Sequence, residues 1–228
     1  MGEIVSFPSN GSTAQGYLAT AAGGSGPGVI VIQEWWGLVP HIESVVDRFA
    51  AEGFTALAPD LYHGQKTTEP DEAGKLMMAL NMGQAARDIS GAIDHLVAHN
   101  TVSGAHVGIV GYCMGGGLAL YAATLRPDAI KACAPYYGLI PWPDAQPDWS
   151  RLDCVIRGHY AENDGSFPPA AVAELQSTLT GLGKDALLTV HPGVDHAFFN
   201  DARPEVYNAE QSAAAFADTV ELFRTALG

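Results

Sequence analysis

Short apolar runs rich in β-branched residues recur along the chain. They alternate with longer stretches in which apolar residues return every three or four positions. The first pattern predicts strands and the second helices. Strands are expected at 28–32, 54–58, 106–110, 130–134, 154–156 and 187–190, and helices at 41–52, about 73–99, 114–125, 168–182 and 204–227. Several of the strands are apolar without alternation and so need cover on both faces. A parallel sheet between two helical layers supplies that cover, and parallel strands require crossovers of the length seen here. The N-terminal pieces 3–7 and 14–18 predict an antiparallel edge hairpin turning at Asn10 and Gly11. With no Pro/Gly/Ser-rich linker and no internal repeat, the expectation is a single α/β domain over 1–228. Its central sheet is mostly parallel, with helices on both faces.

Composition narrows the function. At 228 residues with 47% hydrophobic and 16% charged side chains, the chain can bury one large core. Its 25 acidic and 11 basic residues leave −14 at pH 7, a field that repels phosphate backbones and anionic lipid. Nucleic acid is therefore not expected as a partner, and no apolar run approaches the roughly 20 residues of a membrane span. The cysteines at 113, 133 and 154 match neither a zinc knuckle nor a disulfide framework. Together with a start that lacks a cationic, apolar leader, they suggest a reducing, cytoplasmic setting. Met1-Gly2 with Ser6 formally matches a myristoylation pattern, but Ile4 and Val5 read more simply as a first strand.

In an open parallel sheet, ligands gather beyond the carboxyl ends of the strands. After the 106–110 strand comes Gly111-Tyr112-Cys113-Met114-Gly115-Gly116-Gly117, leading straight into a helix. This is the nucleophile elbow, G-x-S-x-G, with cysteine in the serine position. It would project the sulfur at a helix N-terminus, where the dipole and free N–H groups favour thiolate and oxyanion. Cys133 and Cys154 lie in strand-like segments and are expected to be core. A thiol nucleophile needs a base and an orienting acid. The loop after 187–190 carries His196 and the loop after 154–156 carries Asp164, giving the α/β-hydrolase order nucleophile, acid, histidine. His159 and His191 are less well placed, while Glu162 and Asp195 compete with Asp164. His95 and His99 have zinc-compatible spacing but no third ligand, so no metal is expected.

Gln33-Glu34-Trp35-Trp36-Gly37, Pro59-Asp60-Leu61-Tyr62, Gly111-Tyr112-Cys113-Met114-Gly115-Gly116 and His196-Ala197-Phe198 together resemble the dienelactone hydrolases over essentially the whole chain. The resemblance implies a Cys113, His196, Asp164 triad and an oxyanion hole formed by the N–H groups of Met114 and Trp35. It also implies a catalytic role for Glu34, whose carboxylate keeps the resting thiol neutral until substrate shifts it. Independently, a carboxylate at the end of an all-apolar strand is costly unless partnered. The implied chemistry is hydrolysis of a small ester or lactone through an acyl-enzyme, without metal or cofactor, by a monomer or small homo-oligomer. Alternatives are a thioesterase or acyltransferase of the same fold, or a non-catalytic relative with a redox-sensing or ligand-binding cysteine.

The best-known dienelactone enzymes hold the substrate carboxylate with two arginines and a tyrosine. Here those positions are Pro70, Asn200 and Gly74. Neutral esters are therefore expected to be processed better than carboxylate-bearing dienelactones, and Arg203 reads as a surface residue near a helix start. Trp35 and Trp36 are the expected substrate-binding aromatics, with Tyr62, Phe167 and Phe198 weaker candidates. Met77, Met78 and Met82 are expected to be core, or a plastic lid.

Overall fold

The computed structural model describes residues 2–9, 11–142 and 145–228. Its strands are β1 (Glu3–Ser9), β2 (Ser12–Ala19), β3 (Gly26–Ile32), β4 (Thr55–Pro59), β5 (Val102–Tyr112), β6 (Ile130–Tyr136), β7 (Val155–Ala161) and β8 (Ala186–His191). They form an eight-stranded sheet in the order β1-β2-β4-β3-β5-β6-β7-β8. From β4 across to β8 every pairing is parallel, while β1–β2 and β2–β4 are antiparallel. The edge hairpin is present, closed by Ser9 opposite Ser12; Asn10 of its turn lies outside the described residues.

The helices are α1 (Pro40–Ala51), α2 (Pro70–Ala79), α3 (Met82–Val97), α4 (Met114–Leu125), α5 (Pro169–Gly181) and α6 (Ala209–Leu227). They explain why the central strands are apolar throughout. In β3, Ile30 and Ile32 face a core shared with α3, α4 and α5, whereas Val29 and Val31 face a second core with α1 and α6. All four are fully buried, each contributing about 1.5–3 kcal/mol of transfer free energy. Val107 and Ile109 against Val110 and Tyr112 repeat the division in β5, as the two-residue period of a strand requires.

Two helix boundaries differ from expectation. The single helix expected over 73–99 is α2 followed by α3. Leu80 is extended, with ψ 119, and the Asn81 side chain accepts from the Gln84 N–H at 2.9 Å, capping a new helix. Continuous helical periodicity hid a break that one asparagine encodes. The last helix starts at Ala209 rather than Pro204, because Asn208 caps it by accepting from the Gln211 N–H at 3.0 Å. No helix among the described residues is long and apolar enough to cross a membrane.

Candidate active site

The elbow joins β5 to α4. Cys113 is the N-cap of α4 with φ 55 and ψ −120, a backbone geometry that L side chains seldom adopt. Its neighbours have no room for side chains: a Cβ on Gly111 would lie 2.0 Å from the Gly115 carbonyl oxygen, and one on Gly115 would lie 2.5 Å from the carbonyls of Ile32 and Gln33. Non-glycine residues with positive φ also occur at Tyr137, just after β6, and at Ala197, just after His196. Cys113 and Ala197 line one cavity and Tyr137 packs on its His196, whereas the fourth such residue, His63, lies outside it; strained backbone tends to collect at functional sites.

That cavity, of about 290 Å³, is lined by Cys113 and Met114 from the elbow, Glu34, Trp35 and Trp36 from the loop after β3, and His196 and Ala197 from the loop after β8. Met77, Pro141, Ser166, Phe167 and Arg203 complete it. His196 Nδ1 lies 2.7 Å from Asp164 Oδ2. Asp164 is 3% exposed, and its Oδ1 accepts from the backbone N–H groups of Ser166 (2.8 Å) and Phe167 (3.0 Å). Burial pushes the Asp164 carboxyl up, but the His196 hydrogen bond and these two N–H groups outweigh it and hold it below the usual range. Burial likewise pushes the His196 imidazolium down. The Asp164 and Cys113 side chains, by hydrogen bonding and charge, hold it up to about 10. Met114 supplies the first amide of α4, a position that has no acceptor within its own helix.

Glu34 is 1% exposed, and both of its oxygens meet neutral donors: the Asn200 amide Nδ2 donates to Oε2 at 2.6 Å and the Tyr137 hydroxyl to Oε1 at 3.4 Å. The Asn200 amide is itself oriented, because its Oδ1 accepts from the Ala202 N–H at 3.0 Å. Burial and the Glu34 charge push the Tyr137 phenol well above its ordinary value, so it remains a donor. The Tyr137 ring also packs edge-on against His196, 5.1 Å between centroids. Asn200 thus holds the Glu34 carboxylate. Tyr137 was not singled out from sequence, although its place at the carboxyl end of a strand was the available signal.

The structure brings together Cys113, Asp164, His196, Glu34, Met114, Trp35 and Trp36. The two indoles meet edge to face at 4.9 Å. Arg203, half-buried in the loop after β8, lines the cavity with its guanidinium carbon 6.0 Å from the Trp36 ring centroid, so it reaches in from that loop. Phe167 and Met77 are also in the lining, but Tyr62 and Phe198 are buried outside it; the Tyr62 hydroxyl contacts the Met114 sulfur at 3.3 Å. Met82 packs on the core, while Met78 is exposed. Pro70 is exposed at the start of α2, and Gly74 lies beside Trp35. Cys133 is fully buried, with burial pushing its thiol well up; Cys154, just before β7, is pushed up to about 12 for the same reason. His159 and His191 hydrogen-bond to each other at 3.1 Å within the protein, and burial takes His159 down to about 3. His95 stacks on Phe7 and lines no part of the cavity.

A nucleophile elbow on a mostly parallel sheet, with an acid after β7 and a histidine after β8, defines the α/β-hydrolase class. The family model of the dienelactone hydrolases matches residues 14–227. The chain is 38% identical to "Protein usf" of Aquifex pyrophilus, over 98% of each chain, and 35% identical over the full length of both to a "Putative carboxymethylenebutenolidase" of Aquifex aeolicus. Its fold superposes on the crystal structure of a "Putative Dienelactone Hydrolase" from Klebsiella pneumoniae with a TM-score of 0.89, at 27% identity and 98% coverage of each chain. The chain belongs to the dienelactone hydrolase family and is a hydrolase of the ester and lactone class.

Proposed function

We propose that the chain hydrolyses small carboxylic esters or lactones through an acyl-cysteine intermediate, with Cys113 as nucleophile, His196 as base and acid, and Asp164 as its anchor. The observation that carries this reading is one cavity lined by both Cys113 and a histidine whose Nδ1 is fixed 2.7 Å from a buried carboxylate. With Nδ1–H donated to Asp164, Nε2 is left for the sulfur. The thiol proton passes to Nε2, and the thiolate attacks the carbonyl carbon. The resulting oxyanion is received by the N–H groups of Met114 and Trp35. Collapse breaks the C–O bond as His196 returns its proton to the departing alcohol, which in a lactone stays attached to the acyl group. Water then gives a proton to His196, its oxygen attacks the thioester, and the carboxylic acid leaves as Cys113 is restored.

The 290 Å³ cavity and its indoles suit a compact acyl or aryl group, in keeping with the lactonase names of the relatives. Glu34, fixed by Asn200 and Tyr137 at the wall of the same cavity, is the second acid–base group of this reading; it restrains the resting thiol and can take its proton. The absence of paired cysteines among the described residues is in keeping with a reducing, cytoplasmic setting. The test is a screen of p-nitrophenyl esters and lactones on wild type and Cys113→Ala side by side. Turnover that survives in Cys113→Ala refutes the nucleophile. Acyl transfer to added thiols in preference to water would favour the acyltransferase reading, and hydrolysis of thioesters in preference to esters the thioesterase reading.

A further inference from the structure

A second concavity, of about 920 Å³, opens on the far side of Trp36 and Arg203, the two residues it shares with the catalytic cavity. Its walls are the loops that follow β3, β4 and β8, and they are tied together: Thr67 N–H donates to the Trp36 carbonyl at 3.0 Å, and a Cβ on Gly37 would lie 2.5 Å from the Gln65 carbonyl. The groove is therefore a built feature of the sheet's carboxyl end. Its lining carries two cations, Lys66 and Arg203, against one carboxylate, Glu205, in a chain whose net charge is −14. Glu205 engages Arg203 only through Nε, at 2.8 Å, so the two terminal nitrogens keep their donors, while the guanidinium carbon lies 6.0 Å from the Trp36 ring centroid. Lys66 forms no ion pair among the described residues. The other acid nearby, Asp201, is already taken by Arg48 and by His41 Nδ1 at 3.1 Å. His41, 5% exposed in the groove's wall, has an Nε2 with no partner, the kind of orphaned polar atom that a bound molecule or water completes.

We infer that this groove is a subsite for the anionic end of an elongated substrate: a carboxylate held by Arg203 and Lys66, joined by a chain passing Trp36 to the ester carbonyl at Cys113. The inference rests on the ester-hydrolase reading above and names its substrate class, an ω-carboxy ester. It differs from a compact dienelactone, whose carboxylate would have to sit inside the small cavity beside Glu34. That cavity is lined by Arg203 but not by Lys66, so the two cations come together only in the groove.

The experiment compares p-nitrophenyl octanoate with mono-p-nitrophenyl suberate, matched in length and differing by the terminal carboxylate. Wild type should favour the charged ester in kcat/KM, and added salt should erode the preference. Arg203→Gln with Lys66→Gln should lower the charged-to-neutral ratio about tenfold, the scale of losing charge-assisted hydrogen bonds at a partly solvated site. Because the readout is a ratio, a general loss of folding or turnover does not imitate it. Arg203→Lys should restore part of the preference. A ratio unchanged by removing both cations, or a wild type that prefers the neutral ester, overturns the subsite. Should neither ester be hydrolysed, the catalytic reading fails instead. The subsite is then judged by calorimetric binding of monomethyl suberate to Cys113→Ala, where removal of the two cations must weaken binding or the subsite is refuted too.

Discussion

Replacing Asn200 by aspartate changes one group, nearly isosterically, and turns the donor 2.6 Å from Glu34 Oε2 into a second acceptor. Both residues are almost wholly buried, so solvent cannot screen the pair. Two full charges 2.6 Å apart at an effective dielectric of about 20 repel by roughly 6 kcal/mol. The alternative is to bind a proton. For a carboxyl with an ordinary pKa of about 4 this costs roughly 5 kcal/mol at pH 8 and roughly 1.4 kcal/mol at pH 5. The cheaper route governs, so Asn200→Asp should shed about 4 kcal/mol between pH 5 and pH 8. The sign follows from linkage: the shared proton means that one carboxyl titrates higher in the folded protein than in the unfolded chain. Stability is therefore present at low pH and lost as pH rises. At about 2–4 °C per kcal/mol for a chain of this size, Tm relative to wild type should fall by about 8–16 °C more at pH 8 than at pH 5. Asn200→Ala serves as the control. It leaves the carboxylate without its donor and costs about 2–4 kcal/mol at pH 8; because protonation is the cheaper route at pH 5, it should show a pH dependence of the same sign but smaller than that of Asn200→Asp. Adding Glu34→Gln to Asn200→Asp restores a donor facing an acceptor and should flatten the profile. Thermal melts followed by circular dichroism at the two pH values decide the matter; parallel melting of wild type and Asn200→Asp would refute a buried carboxylate held by Asn200.

Three further expectations concern the catalytic cavity. Asp164→Asn keeps an oxygen for the Ser166 and Phe167 N–H groups but presents the wrong partner to His196 Nδ1, so kcat should fall by about 10³–10⁴ with little change in Tm, measured by ester hydrolysis and melting together. Cys113→Gly should abolish hydrolysis yet raise stability by about 1 kcal/mol, because glycine accepts φ 55 and ψ −120 without strain; equal or lower stability in denaturant melts would show that the elbow is not strained. Glu34→Gln should quicken alkylation of Cys113 by iodoacetamide if the carboxylate restrains the thiol, and slow turnover if it also takes the thiol proton. If both rates stay at wild-type values, Glu34 is reduced to a structural cap.

Much of this architecture is legible along the chain because it depends on local periodicity and on turns that only a few residues can make. Non-alternating strands required helices on both faces, and Ile30 with Ile32 against Val29 with Val31 show why: each apolar residue has its own core to enter. The elbow was readable because glycines at 111 and 115 are the imprint of backbone packed against backbone. Chain order alone placed an acid and a histidine at neighbouring strand ends. The break at Leu80 and Asn81 was missed because apolar spacing continues through it, while the decision rests on a single capping side chain. What the sequence could not contain is the angular relation between loops far apart in the chain. Nothing along the chain pairs Asn200 with Glu34, 166 residues away, and nothing local decides whether Arg203 reaches from the loop after β8 toward Trp36. Those contacts arise where separate strand ends converge. There the sheet's twist and the strained backbone at Cys113, Tyr137 and Ala197, rather than any local propensity, fix which side chains meet.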